Sequence, residues 1–434
     1  MPEEGPVLTI AARSAPSTAT PFTPGFAGLA CSACLTPAPS GPRFVCSQCF
    51  GPLEATYDYP RIAGSLTREG IAARPRTLWR FAELLPVEEL PLDGLAVGFS
   101  PLVPAPRLAA RLGLRLLWIK DDSRNPTLSF KDRNVAIATA RARGFGFTTL
   151  ACASTGNLAA SVAATAAVNG MKSVVLVPAD LEPAKIAQAE ALGARVARID
   201  GPYDVVNRLC LELSDEFDNW AVVNVNIRPF YSEGSKSVAF EIAEQLGWRA
   251  PDAVVAPIAS GSLYTKLRRG FDELARVGLI EAPTTRHIGG QPAGCAPVAT
   301  AFGAGSDTIH PVAQPDTIVR SLAIGSPADG QRSLALARVT CGSIEAVEDA
   351  DTIAAIRLLA ETEGILTETA GGVTIAALQS AIARGVVGPD DEVVAVITGN
   401  GLKTLEAIVD APARDVIEPS LDAFAAWATR EGVS

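Results

Sequence analysis

The feature that most constrains the fold is a regular alternation of short apolar runs and alanine-rich helical segments, which begins near residue 114. Runs such as "LRLLWIK", "TTLACAS" and "KSVVLVP" alternate with segments such as "NLAASVAATAAVNG". Uninterrupted apolar runs are typical of parallel strands that are covered on both faces. Gly144, Gly170 and Gly193 close three of the helical segments, where glycine commonly ends a helix. The pattern therefore predicts an α/β fold with parallel sheets.

The length of the chain predicts more than one domain. At 434 residues it exceeds an ordinary single domain. Residues 1–24 lack helical or strand periodicity and are expected to form a loose tail. A cysteine ribbon follows at 25–57.

Charge and hydropathy exclude several classes of function. The net charge of -10 argues against a nucleic-acid-binding surface, which needs a basic face. We find no apolar run long enough to cross a bilayer and no signal-peptide pattern at the start, so we expect a cytoplasmic protein without membrane partners. The two histidines, His287 and His310, lie in no catalytic motif. Proton transfer is therefore expected from a lysine or a carboxylate.

Four cysteines near the start have the spacing of a metal ribbon. Cys31 and Cys34 form one C-x-x-C pair, and Cys46 and Cys49 form a second. Each pair can supply two thiolates to one tetrahedral ion, and in a reducing compartment this pattern favours zinc over disulfides. A redox pair and a metal-free ribbon are the alternatives. A site with four protein ligands has no open position, so the zinc would be structural.

A lysine at the start of a predicted helix is the strongest candidate for chemistry. Lys131 lies in "SFKDR", between an apolar strand and an alanine-rich helix. Ser129 and Asp132 could simply cap that helix, with Lys131 a residue of its first turn. A cation at a helix N-terminus is electrostatically unfavourable, however, and partial burial would lower its pKa. A neutral amine is what a Schiff base requires.

Three further loops suggest the ligand. Ser154 to Asn157 follow a strand and precede a helix, which is a place for a carboxylate or a phosphate, although the loop could equally be an ordinary helix cap. The small residues of "APIASGSL" let backbone amides approach a phosphate closely. Thr398 follows the strand "VVAVI", at the edge where α/β sheets bind ligands. A reactive lysine, a phosphate loop and these hydroxyls together suggest pyridoxal phosphate.

The motifs together resemble one enzyme family. "SFKDR", "CASTGNLAAS", "RPFYSEGSKS", "PIASGSL", "ETAGGVT" and "ITGNGLKT" are similar, in order, to those of threonine synthase, in the tryptophan-synthase-β-like group of pyridoxal-phosphate enzymes. The resemblance extends over about residues 75–410, and the cysteine ribbon occurs in one branch of the family. It implies two parallel-sheet domains with the cofactor in the cleft between them. These are a large α/β domain at 58–127 and 229–415 and a small mobile α/β domain at 128–228, followed by an extension at 416–434.

The resemblance also implies roles for individual residues. Lys131 would bind the cofactor covalently, Asn157 would contact the ring hydroxyl oxygen, and Thr398 would face the ring nitrogen. A hydroxyl cannot hold a proton on that nitrogen as a carboxylate would, so a moderate electron sink is expected. The cofactor phosphate would lie on the loop formed by Ala259, Ser260, Gly261, Ser262 and Leu263.

The same resemblance implies the reaction and its substrate. The family converts O-phospho-L-homoserine and water into L-threonine and phosphate. Ser154 and Thr155 would bind the substrate carboxylate. Asn226, Arg228 and Lys236 are candidates for its phosphate, with arginine preferred for its forked geometry; Arg228 could instead form an ordinary surface ion pair. We expect a small amino-acid substrate and a homodimer.

Two departures from the family keep an alternative open. Leu158 replaces a threonine whose hydroxyl lies in the substrate pocket, and "ASGSL" replaces the commoner "GNGGN". The loop variant is compatible with the same role, whereas Leu158 puts the substrate in question. A related lyase or a β/γ-replacement enzyme acting on another activated amino acid is the alternative. A non-catalytic zinc-ribbon scaffold is a third hypothesis, against which the retained Lys131, Asn157 and Thr398 argue.

Overall fold

The computed structural model describes residues 22–91, 94–154, 156–179, 181, 183–201, 203–408 and 416–433. Most of the predicted tail at 1–24 therefore lies outside the described residues. Within them, no helix has the length and apolarity that crossing a bilayer requires.

Strands in the described part of the chain build three sheets. Their bounds are β1 (Phe26–Cys31), β2 (Pro37–Ala38), β3 (Leu53–Tyr57), β4 (Leu102–Pro104), β5 (Leu116–Asp121), β6 (Thr149–Ala153), β7 (Lys172–Pro178), β8 (Arg195–Ile199), β9 (Trp220–Val222), β10 (Ala253–Pro257), β11 (Arg286–Pro292), β12 (Ser343–Val347) and β13 (Glu392–Ile397).

Helices cover the faces of these sheets. Their bounds are α1 (Tyr59–Ala63), α2 (Arg68–Ala72), α3 (Pro106–Leu112), α4 (Lys131–Gly144), α5 (Asn157–Val168), α6 (Pro183–Ala191), α7 (Tyr203–Glu216), α8 (Arg228–Tyr231), α9 (Lys236–Gln245), α10 (Ser262–Arg276), α11 (Pro297–Gly303), α12 (Gly330–Val339), α13 (Asp349–Glu363), α14 (Thr369–Ala383) and α15 (Leu421–Arg430). Short 3₁₀ helices occupy Leu78–Leu84, Asp122–Arg124, Ser232–Ser235, Ala293–Cys295, Arg320–Leu322, Gly401–Lys403 and Leu405–Ala407.

The larger sheet has six strands in the order β12-β11-β10-β13-β5-β4. All neighbours are parallel except β4, which runs antiparallel to β5 at the edge. Every residue of the central strands β10 and β13 is buried, as expected for apolar runs covered on both faces. Because β5, β10 and β13 are parallel, the loops after them meet at one edge of the sheet.

The smaller sheet has four parallel strands in the order β8-β7-β6-β9. Its strands lie between residues 149 and 222, inside the range predicted for the small domain. The predicted α/β class with parallel sheets is confirmed. The predicted domain limits and the mobility of the small domain stay predictions.

The cysteine region forms a small antiparallel sheet of its own, in the order β2-β1-β3. It packs on the rest of the chain through Tyr57, whose hydroxyl donates a 2.7 Å hydrogen bond to the Glu233 carboxylate. The two histidines lie outside any polar cluster. His287 is buried in β11, and His310 is exposed.

Candidate active site

The candidate site is a cleft where the ends of both parallel sheets meet. It is lined by the starts of α4, α5 and α10 and by the loop after β13, which bring Lys131, Asn157, the loop 259–263 and Thr398 together. Four separately predicted segments therefore converge on one cleft. A further lining residue, Glu368, carries the carboxylate of the cleft.

A larger groove lies elsewhere, between the cysteine ribbon and α10, with a volume of about 1170 Å³. Its Arg269 and Arg332 are both ion-paired with Glu54. Because these cations are already balanced, we place the candidate site at the cleft of Lys131.

Lys131 is the first residue of α4 and is half-buried. Its ammonium lies 5.0 Å from the centre of the Phe130 ring. Among the residues that the structure describes, none lies within hydrogen-bonding distance of that ammonium. Burial lowers the pKa of Lys131 to about 8, and the charge of Glu368 opposes this only in part. A substantial share of the amine is therefore neutral near physiological pH, as a nucleophile requires.

The two residues after Lys131 fix the helix that carries it. The buried Asp132 carboxylate accepts hydrogen bonds from the backbone amide of Thr127 at 2.7 Å and from its hydroxyl at 2.5 Å. Arg133 is completely buried and forms ion pairs with Asp122 at 2.6 Å and Glu241 at 2.5 Å. The backbone around the lysine is thus held by paired charges, while the lysine side chain itself is not.

The loop before α10 has the features of an anion site. Gly261 adopts φ +93°, and a Cβ there would lie 2.5 Å from the Ser333 hydroxyl and 2.9 Å from the Asp329 carbonyl oxygen. Only glycine fits, which brings the backbone close to whatever the loop binds. The Ser262 hydroxyl is buried and has no hydrogen-bond partner among the described residues. With the amides of the first turn of α10, it offers donors to a phosphate.

Asn157, which begins α5 after the smaller sheet's β6, and Thr398, which follows β13 of the larger sheet, share one hydrogen-bond partner. The Asn157 amide donates to Glu368 at 2.7 Å, and the Thr398 hydroxyl donates to the same carboxylate at 3.2 Å. Glu368 was missed by the sequence analysis, although it lies in the quoted segment "ETAGGVT". A buried carboxylate just before a helix gives no signal of its own until the fold brings its partners to it.

The loop after β6 is organised by Ser154. Its buried hydroxyl accepts hydrogen bonds from the backbone amides of Gly156 at 3.2 Å and Ala159 at 3.1 Å, which starts α5. The hydroxyl hydrogen is still available to a ligand. Thr155 lies outside the described residues. Leu158 is half-buried in the first turn of α5 and packs against the main apolar core.

The three candidates for a substrate phosphate occupy different places. The Asn226 amide donates to the Trp220 carbonyl at 3.1 Å, and its own carbonyl oxygen is buried without a partner among the described residues. Arg228 lies 3.4 Å from Asp329, whose backbone amide bonds to the Ser260 carbonyl at 2.8 Å, so its guanidinium is close to the phosphate loop.

Lys236 does not reach the cleft, which corrects the sequence expectation. Its ammonium is completely buried and forms ion pairs with Glu233 at 2.6 Å and Glu273 at 2.7 Å, and it donates to the Leu84 carbonyl at 2.9 Å. Glu273 and Leu84 are distant in sequence, Glu233 is three residues away, and together they occupy all three hydrogens of the ammonium. Lys236 is therefore a residue of the packing between α9 and α10.

The four cysteines are close together and are not disulfide-bonded. Their sulfur atoms all lie within 4.8 Å of one another, with Cys34 and Cys46 3.8 Å apart. Tetrahedral zinc with bonds of about 2.3 Å requires sulfurs about 3.8 Å apart, so the geometry fits this ion. Backbone amides also point at the sulfurs, as Gln48 does at 3.3 Å from Cys46. The donor set therefore supports the predicted structural zinc.

Comparison with known proteins agrees with this geometry. Residues 94–399 match the family model described as pyridoxal-phosphate dependent enzyme. The chain is 34% identical to a threonine synthase of Methanosarcina acetivorans, covering 88% of this chain and 93% of that protein. It is 35% identical to a threonine synthase of Methanocaldococcus jannaschii, covering 84% and 90%.

A solved structure of diaminopropionate ammonia lyase from Escherichia coli has the same fold. It superposes with a TM-score of 0.60 at 22% identity and covers 71% of this chain and 85% of that one. The chain belongs to the pyridoxal-phosphate-dependent enzymes, and among them to the threonine synthase family.

Proposed function

We propose that the protein is a threonine synthase that converts O-phospho-L-homoserine and water into L-threonine and phosphate. One combined observation carries the proposal: a sequence similar to threonine synthases places, in one cleft, the residues that the family's cofactor needs. The chain is similar to threonine synthases over 88% of its length. Within that length, a lysine whose ammonium has no hydrogen-bond partner among the described residues shares a cleft with a glycine-containing anion loop. Both features are what the family's cofactor needs.

The residues of the cleft fit pyridoxal phosphate. The loop 259–263 would hold its phosphate through the open amides of α10 and the unpartnered Ser262 hydroxyl. Lys131 would provide the amine for covalent attachment, and Asn157 and Thr398 would bind the polar edges of the ring. When bound, the cofactor supplies an aldehyde and a conjugated ring that stabilises negative charge on carbon.

Lys131 also has the properties of the group that moves protons. Its pKa of about 8 lies close to neutrality, where an amine can both accept and donate a proton at a useful rate. Because α4 is fixed through Asp132 and Arg133, only the side chain of the lysine needs to move between substrate carbons. We assign to it the proton transfers at Cα and Cβ of the substrate.

The remaining groups would bind the ends of the substrate. Ser154 can donate its hydroxyl hydrogen to the α-carboxylate, together with Thr155. Arg228, which is 35% exposed beside the phosphate loop, is the strongest candidate for the substrate phosphate. Asn226 is the weaker candidate, because its amide hydrogen already bonds to the Trp220 carbonyl. A guanidinium suits this role because it binds phosphate oxygens in pairs.

The test is a substrate assay on the cofactor-loaded enzyme. Purified protein is incubated with O-phospho-L-homoserine, and threonine and inorganic phosphate are measured together. We expect both products in equal amounts, with neither formed by a Lys131→Ala variant. Phosphate release without threonine would contradict the proposal and favour the alternative, a lyase or replacement enzyme of the same family.

A substitution at Leu158 distinguishes threonine synthase activity from the alternative activity. If this leucine marks a different substrate, Leu158→Thr should restore a hydrogen bond to the family substrate and raise kcat/KM for O-phospho-L-homoserine by about tenfold, or about 1.4 kcal/mol. Leu158→Val, which has the shape of threonine but no hydroxyl, is the control. An unchanged kcat/KM in Leu158→Thr would remove the reason for the alternative.

We further propose a homodimer with one structural zinc ion in each chain. The cysteine geometry supports the metal, and the expectation of a dimer comes from the family resemblance alone. Molar mass by light scattering tests the dimer, and a mass equal to one chain would contradict it.

A further inference from the structure

Four side chains of alternating charge join the cysteine ribbon to the candidate substrate site. Glu54, in β3 of the ribbon, is ion-paired with Arg332 in α12. Arg332 lies 3.6 Å from one carboxylate oxygen of Asp329, the residue before α12. The other oxygen of Asp329 lies 3.4 Å from Arg228, the candidate for the substrate phosphate. The first carboxylate of this series therefore belongs to the ribbon, and the last cation lies beside the phosphate loop.

The backbone of Asp329 is fixed to the phosphate loop. Its amide donates to the Ser260 carbonyl at 2.8 Å, and its carbonyl accepts hydrogen bonds from the amide and the hydroxyl of Ser333, both at 2.9 Å. The same carbonyl oxygen would lie 2.9 Å from a Cβ at Gly261. Because the main chain is held in this way, only the side chain of Asp329 can turn. Its carboxylate can therefore change its arginine partner without moving the loop.

The carboxylate of Asp329 is divided between two arginines. Its Oδ1 faces Arg332, and its Oδ2 faces the Nη2 of Arg228. A guanidinium binds a carboxylate or a phosphate most strongly through two parallel N–H groups. Arg228 contacts Asp329 through one nitrogen, at 3.4 Å, so the two-pronged arrangement is not formed. If Asp329 turned both oxygens to Arg228, the carboxylate would compete with a phosphate for the same N–H groups.

The ribbon holds the arginine that keeps this carboxylate divided. Glu54 accepts from Arg332 and also from Arg269, the latter at 2.8 Å. The ammonium of Lys266 and the two arginines lower the pKa of Glu54 to about 2 against the effect of burial, so the carboxylate is charged near neutral pH. Arg332 is 39% exposed, and Asp329 is the other carboxylate within ion-pairing distance of it in the described part of the chain. Without Glu54, Arg332 would be free to turn into solvent.

The ribbon also packs against the short helix that carries Arg228. The Phe26 ring of β1 lies 5.9 Å from the Phe230 ring of α8 in an edge-to-face arrangement. Strand β3 pairs with β1 in a register that places Glu54 one residue pair away from Cys31, a candidate zinc ligand. The fold of the ribbon therefore sets the position of Glu54 relative to the helix of Arg228.

We propose that Glu54 is a positioning residue that keeps the forked face of Arg228 open to the substrate phosphate. It holds Arg332 on one oxygen of Asp329, so this carboxylate does not close on Arg228. The inference rests on the proposed function, since it takes Arg228 as the ligand of the substrate phosphate. It gives the ribbon a role in substrate recognition besides the structural role of its metal site.

The test compares the cofactor-loaded wild type with Glu54→Gln. We expect KM for O-phospho-L-homoserine and the calorimetric dissociation constant of inorganic phosphate to rise together by about two- to fivefold, the range of a partly exposed ion pair, with kcat unchanged. The inhibition constant of L-homoserine, which has no phosphate, should stay the same. An unchanged KM would overturn the inference. An equal rise for L-homoserine would also overturn it, because it would indicate a general structural effect.

The sign of the change separates a contact from an effect of charge at a distance. Glu54→Gln removes a negative charge, so long-range attraction alone would tighten phosphate binding, and a lower KM would contradict the proposal. Asp307→Asn is the matched control, because it removes an exposed carboxylate that pairs with Arg338 near the other end of α12. It should leave KM unaltered, and a rise equal to that of Glu54→Gln would count against a specific role.

Two further variants test the route through Asp329. Arg332→Gln should raise KM as Glu54→Gln does, and it decides the question if Glu54→Gln does not fold. In an Asp329→Asn background neither substitution should raise KM further, because the carboxylate that would close on Arg228 is gone. A further rise in that background would contradict action through Asp329.

The outcomes also distinguish this inference from the proposed function. If the wild type forms no threonine from O-phospho-L-homoserine, the proposed reaction fails, and calorimetry with inorganic phosphate still tests the role of Glu54. If threonine is formed but Glu54→Gln leaves both KM and phosphate binding unchanged, only the role of Glu54 fails.

Discussion

Two lysines of this chain begin helices, yet their surroundings are opposite. Lys236, at the start of α9, forms ion pairs with Glu233 and Glu273 and a bond to the Leu84 carbonyl, all at 2.6 to 2.9 Å. Lys131, at the start of α4, has the Phe130 ring at 5.0 Å as its near contact. A buried cation with all its hydrogens bonded is part of the structure, whereas one left without partners is available for chemistry.

The largest expected effect comes from removing the unpaired lysine. Lys131→Ala should lose covalent cofactor binding and lower kcat by about 10²–10⁴-fold or more, since the range for positioned acid–base catalysis is only part of its role. Its free energy of unfolding should fall by about 1 kcal/mol or less, because no ion pair is broken. Product formation and urea unfolding measure the two quantities. A large loss of stability would contradict the contrast with Lys236.

Removing the paired lysine should have the reverse outcome. Lys236→Ala leaves the buried carboxylates of Glu233 and Glu273 short of a cation, and we expect a loss of about 3–5 kcal/mol in the free energy of unfolding. Lys172→Ala, at an exposed lysine in β7, is the control and should stay within about 0.5 kcal/mol of the wild type. A Lys236→Ala protein of full stability that fails only in substrate phosphate binding would restore the original prediction for this residue.

The cysteine ribbon is a third case, in which a bound metal ion would balance the negative charges of the four thiolates. Cys34→Ser should reduce bound zinc from one ion per chain to almost none and increase amide exchange in β1 and β3. Cys341→Ser changes an exposed cysteine outside the cluster and should leave the zinc content unaltered. Atomic absorption on the purified proteins gives the metal content, and one zinc retained in Cys34→Ser would contradict a four-thiolate site.

The smallest expected effect is on the pH dependence of stability, and it sharpens the contrast between Lys131 and Lys236. In the cofactor-free protein Lys131 loses its proton near pH 8, against 10.5 for an ordinary lysine. Between these values the unfolded chain binds more protons, so the stability of the wild type should rise with pH relative to Lys131→Met. Below pH 8 the difference should be constant. Urea unfolding of both proteins across this range measures it, and parallel curves would exclude the lowered pKa.

The sequence alone was enough for those parts of the site that follow local patterns. The βα alternation predicted the sheets, and the loops of Lys131, Asn157, Gly261 and Thr398 converge in the structure because each follows a parallel strand or starts a helix. The surroundings of Glu368, and the contacts of Lys236 with Glu273 and Leu84, depended on partners that are remote in sequence. Lys236 lies close to Arg228 along the chain, and only the fold shows that Glu233 and Glu273 neutralise it.

The two ion pairs of Arg133 also limit where the reaction can occur. With Asp122 and Glu241 fixing the guanidinium two positions away, the Cα of Lys131 has almost no freedom, and the amine travels only as far as its four-carbon stem allows. The carbons that exchange protons with it must lie inside that small arc. A substrate would be held so that its Cα and Cβ lie within that arc, and a longer chain would move only its far end, the phosphate, away from the groups that bind it.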